Sequence, residues 1–489
     1  MTLLLAVAIT PTYLRYIGAE GYGVLGFLGA LLAILGVADL GLSVAINREL
    51  SRHLALAVPA EVSRNLLRTI EVPYIAIGGI LGIGTISLSS WIAERFLDGG
   101  SIGDSSPQSA VVLMGVIIIL RWPVALYGGA LRGRDRQASW NAIVVTEAVT
   151  RTAISVFVLV WVSQSVVAVL TGFVVCSALQ LAVLATVAWK AMPRAPSTPR
   201  FDLACVRRLG RFTSKVAVIA LLAALLKQAD TMMVAAFLPV ADLGYYVLAW
   251  SICSVLLILP TTIFLSVMPR LSMYAASDRQ GELRSLYHKS SQLVAYCVAP
   301  IGIGLALFSH DALEVWTGQG ATADRADVVV SVLAIAFLFN ALTQLPVALQ
   351  LATGRVKIIM LLNGAGAAIT LPTVYLGIAF YGIAGAGGAW LAFNVMSSAV
   401  GPFFMHRSLL AGDFRQWALR DSLLFVGLAC VTMLTAYCCA RLVGGLPAVV
   451  AFGALGLVCY AALASRWCEP AHGLVQRMIS LSRRRTSAP

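Results

Sequence analysis

Six ionisable residues of this 489-residue chain stand inside long apolar runs, and their types limit the chemistry open to it. Arg121, Glu147, Arg151, Lys227 and Asp230 lie deep in such runs, and Asp39 lies toward the end of another. A charge in a hydrocarbon slab is costly unless it faces water or a partner, so each of these is a candidate site residue. Arg121, Arg151 and Lys227 are bases, and guanidinium and ammonium groups pair well with phosphate oxygens. Together in one wet cavity they would receive an anionic headgroup. Asp39, Glu147 and Asp230 are the candidates for coupling to a proton or a sodium ion. Glu147 and Arg151 are four apart on one helical face, acid first, which is the favourable order for an intrahelical pair. Lys227 and Asp230 are three apart and can pair in the same way. The competing account is that each pair neutralises itself and merely ties helices together. Arg121 has no acid within a turn of its own helix. Asn340, Gln344, Gln350, Asn363 and Asn394 could meet sugar hydroxyls, although polar residues in spans more commonly tie helices.

The elements that carry these residues are membrane spans. Hydrophobic residues make up 59% of the chain and charged residues 12%, against about 25% charged in soluble domains. Unbroken runs such as Val111–Leu120 fit helices and not the alternating strands of a barrel. Fourteen spans are expected, at 1–17, 22–46, 72–92, 110–130, 141–163, 167–189, 213–237, 243–268, 290–309, 328–352, 358–380, 382–405, 421–440 and 444–465. The first is short for a bilayer, which points to a start assigned too late or to a clipped first helix. With the N-terminus in the cytoplasm, 27 of the 35 Lys and Arg residues fall on the inward side, three outward and five within the stated span bounds. That asymmetry places both termini in the cytoplasm. It also accounts for the net charge of +13 without nucleic acid.

Three motif pairs recur at an offset of 223 residues. Gly21-Tyr22-Gly23-Val24-Leu25 matches Gly244-Tyr245-Tyr246-Val247-Leu248, Pro123-Val124-Ala125-Leu126 matches Pro346-Val347-Ala348-Leu349, and Ser43-Val44 matches Ser266-Val267. Six spans separate the copies, so the repeat is parallel, an architecture of transporters. The expected organisation is an N-terminal lobe at 1–189, a basic cytoplasmic linker at 190–212, a C-terminal lobe at 213–406, two further spans within 421–465 and a basic tail at 466–489. Pro123 and Pro346 should each kink a span.

No His-Glu-x-x-His, Walker loop, Gly-x-Ser-x-Gly or metal loop is present, so no catalytic, metal or cofactor site is expected. The five histidines fall in loops or near span ends. Asp311, Glu314, Asp324 and Asp327 read as a solvated acidic loop, and the nine cysteines as small apolar filler.

The opening Thr10-Pro11, Arg15-Tyr16-Ile17-Gly18-Ala19-Glu20-Gly21-Tyr22-Gly23 and Asp39-Leu40-Gly41-Leu42 resembles the first two spans of the Wzx-type polysaccharide and O-antigen flippases. These belong to the multidrug/oligosaccharidyl-lipid/polysaccharide exporter superfamily. Gly244-Tyr245 and Pro346 through Gly354-Arg355 resemble later spans of the same family. The resemblance implies two six-helix lobes plus two C-terminal helices, and no enzymatic activity. It implies an undecaprenyl-diphosphate-linked oligosaccharide as substrate, flipped outward for surface polysaccharide synthesis such as O-antigen, lipopolysaccharide or exopolysaccharide. The expected partners are that lipid, the lipids of the bacterial inner membrane and other polysaccharide assembly proteins. A cation-coupled multidrug exporter and a lipid II flippase are the alternatives. The basic intramembrane residues weigh against the first. A membrane glycosyl- or acyltransferase ranks below both, since a catalytic cluster is missing.

Overall fold

Lipid offers a peptide group no hydrogen bond, so apolar runs of this length must close their bonds internally. In the computed structural model, which describes residues 2–39, 41–97, 106–202, 228–355 and 357–470, every regular element is helical. Eleven helices among the described residues are long and apolar enough to cross a membrane. The difference from fourteen has a local origin. The helix α1 (Thr2–Leu35) bends at Gly18, with φ 68° and ψ −177°, and so runs through both of the first two expected spans. A second bend, at Gly382 with φ 57° and ψ −137°, joins the expected spans 358–380 and 382–405 in one long helix. Both conformations are accessible essentially only to glycine. Most of the expected span 213–237 lies outside the described residues.

The chain forms two compact units, Met1–Val247 and Leu248–Pro489. In the first, a short turn at Gly36–Asp39 leads from α1 to α2 (Leu42–Ala55), followed by α3 (Ala60–Ser87) and α4 (Ser89–Phe96). Next come α5 (Pro107–Gly133), α6 (Gln137–Phe157) and α7 (Val166–Ala191). A π-helical turn at Val158–Val162 ends α6. A helical segment at 228–237 (α8) precedes α9 (Val240–Ser254), which continues into the second unit. The central helix is α5, packed on α2, α3 and α7. Ile46, Leu67, Ile70, Tyr74, Trp122 and Leu126 form a buried cluster where these helices meet.

The second unit holds α10 (Ile258–Ala276), α11 (Gln280–Leu307), α12 (Ser309–Thr317), α13 (Gly320–Ala352) and α14 (Lys357–Leu409). A π-helical segment at Gln416–Leu423 leads into α15 (Leu424–Val443), and α16 (Leu446–Ala464) pairs with it. Here α11 touches α10, α13 and α15, so it bridges the repeat-derived helices to the C-terminal pair. Pro123 and Pro346 do sit inside α5 and α13. Pro11, Pro73, Pro269, Pro300, Pro372 and Pro402 are also inside helices, so the matched pair is not distinguished by its position.

The Gly-Tyr motifs that recur in the sequence meet in space, within the first unit. A Cβ on Gly23 would lie 3.0 Å from the Gly244 nitrogen, and a Cβ on Gly244 would lie 2.8 Å from the Ala19 carbonyl carbon. Small residues let helices approach this closely, and close packing replaces hydrophobic drive in lipid. Gly29, also on α1, has nothing within 4 Å of an added Cβ. Gly244→Ala is therefore expected to destabilise the purified protein by about 1–3 kcal/mol, the usual range for overpacking. Gly29→Ala should leave thermal unfolding in detergent within about 0.5 kcal/mol of the parent.

Candidate functional site

Within the first unit, α5 and α6 bring Arg121, Glu147 and Arg151 together. Arg121 Nη1 lies 3.5 Å from Glu147 Oε1, and Arg151 Nε lies 3.4 Å from the same oxygen. The contact between Glu147 and Arg151 is the expected intrahelical pair. The second arginine reaches the carboxylate from another helix, so Arg121 has a partner that spacing along its own helix does not reveal. The Glu147 side chain is 7% exposed, whereas those of Arg121 and Arg151 are 25% and 33% exposed. Two permanent cations share one anion, leaving an excess of positive charge. The Arg151 guanidinium also stands over the Phe173 ring of α7, 5.3 Å from its centroid. A cleft of about 350 Å³ opens beside Glu147 between α6 and α7, lined by Ile143, Thr146, Thr150, Cys176 and Gln180 among others.

Each guanidinium carries five N–H donors in a rigid fork, and Glu147 uses one from each. The remaining geometry suits an incoming anion with several oxygens, which would compete with Glu147 for the two forks.

The other candidates are placed differently. Lys227 lies outside the described residues, and so does its expected pairing with Asp230. Asp230 accepts from the Tyr246 hydroxyl at 2.6 Å and from the Thr231 backbone N–H at 2.7 Å. Asp39 accepts from the Ser43 backbone N–H at 3.1 Å, the Ser43 hydroxyl at 2.7 Å and the Tyr74 hydroxyl at 2.6 Å. It thereby satisfies the start of α2 and ties it to α3. In the second unit Asn340 donates to Asn394 at 2.8 Å, and Gln344 approaches Asn340 at 3.5 Å. Asn340 and Asn394 thus join α13 to α14. Asn363 is on α14, with its side chain outside the described set.

Three buried polar groups escape a reading by span position. Glu71, 4% exposed, accepts from Tyr127 at 2.5 Å and Trp189 at 3.0 Å, and pairs with Arg68 at 2.8 Å. The expected span at 72–92 leaves Glu71 just outside it, whereas α3 begins at Ala60 and includes it. His288 is expected near a span end; it is 7% exposed on α11 and bonded to Asp421. Asp311 is not solvated as the acidic-loop reading had it. It is 6% exposed and takes a two-pronged contact from Arg441 at 2.8 and 3.3 Å. Glu314 and Asp324 do face solvent.

Eleven described helices long and apolar enough to cross a membrane define a many-spanned helical membrane protein. Residues 15–320 match the family described as polysaccharide biosynthesis protein. The chain belongs to this family. An O-antigen transporter of Shigella flexneri is 23% identical over 79% of this chain and 90% of its own length. The low-salt glycan biosynthesis flippase Agl15 of Haloferax volcanii is 22% identical over 63% of this chain and 60% of its own length. The lipid II flippase MurJ in an inward closed conformation superposes with a TM-score of 0.71 at 12% identity, covering 95% of this chain and 97% of that one. An inward-facing multidrug transporter of the MATE family gives 0.68 at 12% identity, covering 85% and 96%. These likenesses show the fold, which this chain shares with MurJ and with the MATE-family transporter. The relatives are named as transporters and flippases, not as enzymes.

Glu147→Gln leaves two guanidiniums side by side without their counter-charge. Breaking a buried pair costs about 3–5 kcal/mol, and the partial exposure of both arginines places this variant at or below the lower end. Adding Arg151→Gln should restore part of the loss. A double-mutant cycle of thermal stability measures this coupling, and strictly additive losses would contradict the shared-carboxylate arrangement.

Proposed function

We propose that this chain flips a lipid-linked oligosaccharide, with undecaprenyl diphosphate as the carrier in a bacterial inner membrane. It moves this substrate from the cytoplasmic to the outer leaflet by alternating access. Family membership and the names of its relatives support a glycan-lipid substrate. The observation that carries the mechanism is the pair of forked cations, Arg121 and Arg151, each partly open and sharing one carboxylate. A diphosphate supplies the oxygens those forks lack, and without it Glu147 offsets the repulsion between them. A cation-coupled drug exporter would need the opposite balance of charge. A lipid II flippase shares the diphosphate, and the names of the sequence relatives favour glycan export over it.

In this reading Lys227 joins the headgroup site by charge and depth. Asp39, Glu147 and Asp230 are coupling candidates, and Glu147 touches Arg121 and Arg151. Asn340, Gln344 and Asn363 are sugar-contact candidates, and Asn340 reaches a sugar by exchanging its bond to Asn394. The lobes at 1–189 and 213–406 carry the alternation, with both termini in the cytoplasm.

Charge-assisted hydrogen bonds contribute about 1.5–3 kcal/mol each, so Arg121→Gln and Arg151→Gln should each slow translocation about 10- to 100-fold. Arg121→Lys should recover only part of this, since an ammonium lacks the planar fork. The assay is translocation of a labelled short-chain lipid-diphosphate oligosaccharide in proteoliposomes, with variants matched for insertion. Parental rates in both glutamine variants would remove the diphosphate role.

A further inference from the structure

Near the cytoplasmic end expected for the second unit, one imidazole sits between two carboxylates. His288 Nδ1 lies 2.5 Å from Asp421 Oδ2, and its Nε2 lies 3.4 Å from Asp413 Oδ2. Asp421 is fully buried, and its other oxygen accepts from Gln292 Nε2 at 2.9 Å. Asp413 is more open, 14% exposed, and meets Arg284 at 3.2 Å. An imidazole can donate from both nitrogens only when both carry protons. With both carboxylates ionised, the two contacts are therefore both hydrogen bonds only in the imidazolium. When the ring is neutral, one nitrogen presents a lone pair to a carboxylate, and that contact becomes repulsive.

We propose that His288, Asp413 and Asp421 form a proton-binding site whose occupancy seats α15 on α11 and couples proton movement to transport. The transport half of this statement rests on the flippase reading above, and the proton site does not. Binding a proton at the ring adds one charge and breaks no bond. The set of Arg284, His288, Asp413 and Asp421 then goes from an excess negative charge to neutrality. Asp413, with Arg284 half-exposed beside it, is the entry from water, and Asp421 is the buried terminus.

The position of each group follows from the chain. Asp413 lies just past Gly412, whose φ of 92° turns the backbone after α14. Asp421 projects from the π-helical segment at Gln416–Leu423, a wide helical form that recurs at functional sites. These residues approach α11 from 125 and 133 positions away, so a proton on His288 draws the connector between α14 and α15 onto α11. The other charged and titratable groups nearby are bonded elsewhere or exposed. Tyr287 and His406 bond each other at 3.1 Å, and His406 Nδ1 faces the Pro402 carbonyl at 2.7 Å. Lys289 pairs with Glu469 at 3.6 Å. Arg415 and Arg420 face outward.

The first test counts protons. Full-length protein in weakly buffered detergent is titrated between about pH 5 and 8 beside His288→Gln, which preserves a donor toward Asp421. The parent should take up about one proton more than the variant, and its thermal stability should fall as pH rises while the variant's falls less. Asp413→Asn, which leaves the buried pair intact, should weaken the pH response without abolishing folding. Equal proton uptake by parent and His288→Gln overturns the site. The second test imposes a pH gradient on proteoliposomes loaded with the lipid-diphosphate oligosaccharide. The parent should respond several-fold and His288→Gln should keep only the rate seen without a gradient. An equal response in both overturns the coupling. Absence of translocation in either protein, with the proton count intact, overturns the flippase reading and leaves the proton site standing.

Discussion

A guanidinium persists inside a bilayer only where something answers its charge, and in the first unit one carboxylate answers two. Glu147 is the buried member, whereas Arg121 and Arg151 keep surface open. That inequality matters more than the pairing. A one-to-one ion pair would be neutral and closed, a helix tie of the kind common in spans. Two cations on one anion leave charge and donors unspent, which is the condition for binding another anion. The same logic separates this centre from Glu71, which two neutral donors and a single arginine already satisfy. Both are buried carboxylates, and only one of them sits beside excess positive charge.

The scaffold serves this inequality by bringing helices close. Along α5, the chain alternates bulky contacts such as Trp122 and Leu126 with glycines at its approaches to α2 and α3. Arg121 therefore leaves α5 from a helix held tightly on three sides, and its reach toward α6 is set by packing and not by its own flexibility. α6 is the less enclosed partner, with a cleft on its α7 side next to Glu147. On the proposed reading, a fixed cation and a looser acid–base pair would let the site exchange one anion for another.

How much of this could be read beforehand follows from the range of each signal. Hydropathy and the alternation of basic loops act within a span, and they reveal the helices. The breaks near Gly18 and Gly382 were placed close to correctly by apolar runs, though one backbone conformation turns each into a bend within a continuous helix. The Glu147 and Arg151 pair is visible because four residues make one helical turn. Arg121 and Glu147 are 26 residues apart on different helices, and no periodicity reports which face of α5 meets α6. His288 and Asp421 are 133 residues apart, and each taken alone reads as a residue at a span end. The acidic loop was misread for the same cause. Asp311 is solvated in sequence terms until Arg441, 130 residues on, covers it. Same-helix chemistry is legible, and the chemistry that joins helices is not.

The C-terminal pair of helices shows what such distant pairings accomplish. It lies outside the internal repeat, so nothing in the repeated architecture obliges it to stay in place. Two charge contacts stand at opposite ends of α15, and a third, Lys289 with Glu469, holds the chain just past α16 to α11. At one end Arg441 grips Asp311 with two nitrogens, and arginine keeps its charge at any physiological pH. At the other end Asp421, on the turn leading into α15, is held by His288, the one common side chain that gains or loses charge near neutrality. Apolar contacts run between these ends, including the Tyr296 ring against Phe425 and Tyr460. On the proposal above, loss of the proton would free only the Asp421 end of α15, while Arg441 and the Lys289–Glu469 pair keep their hold.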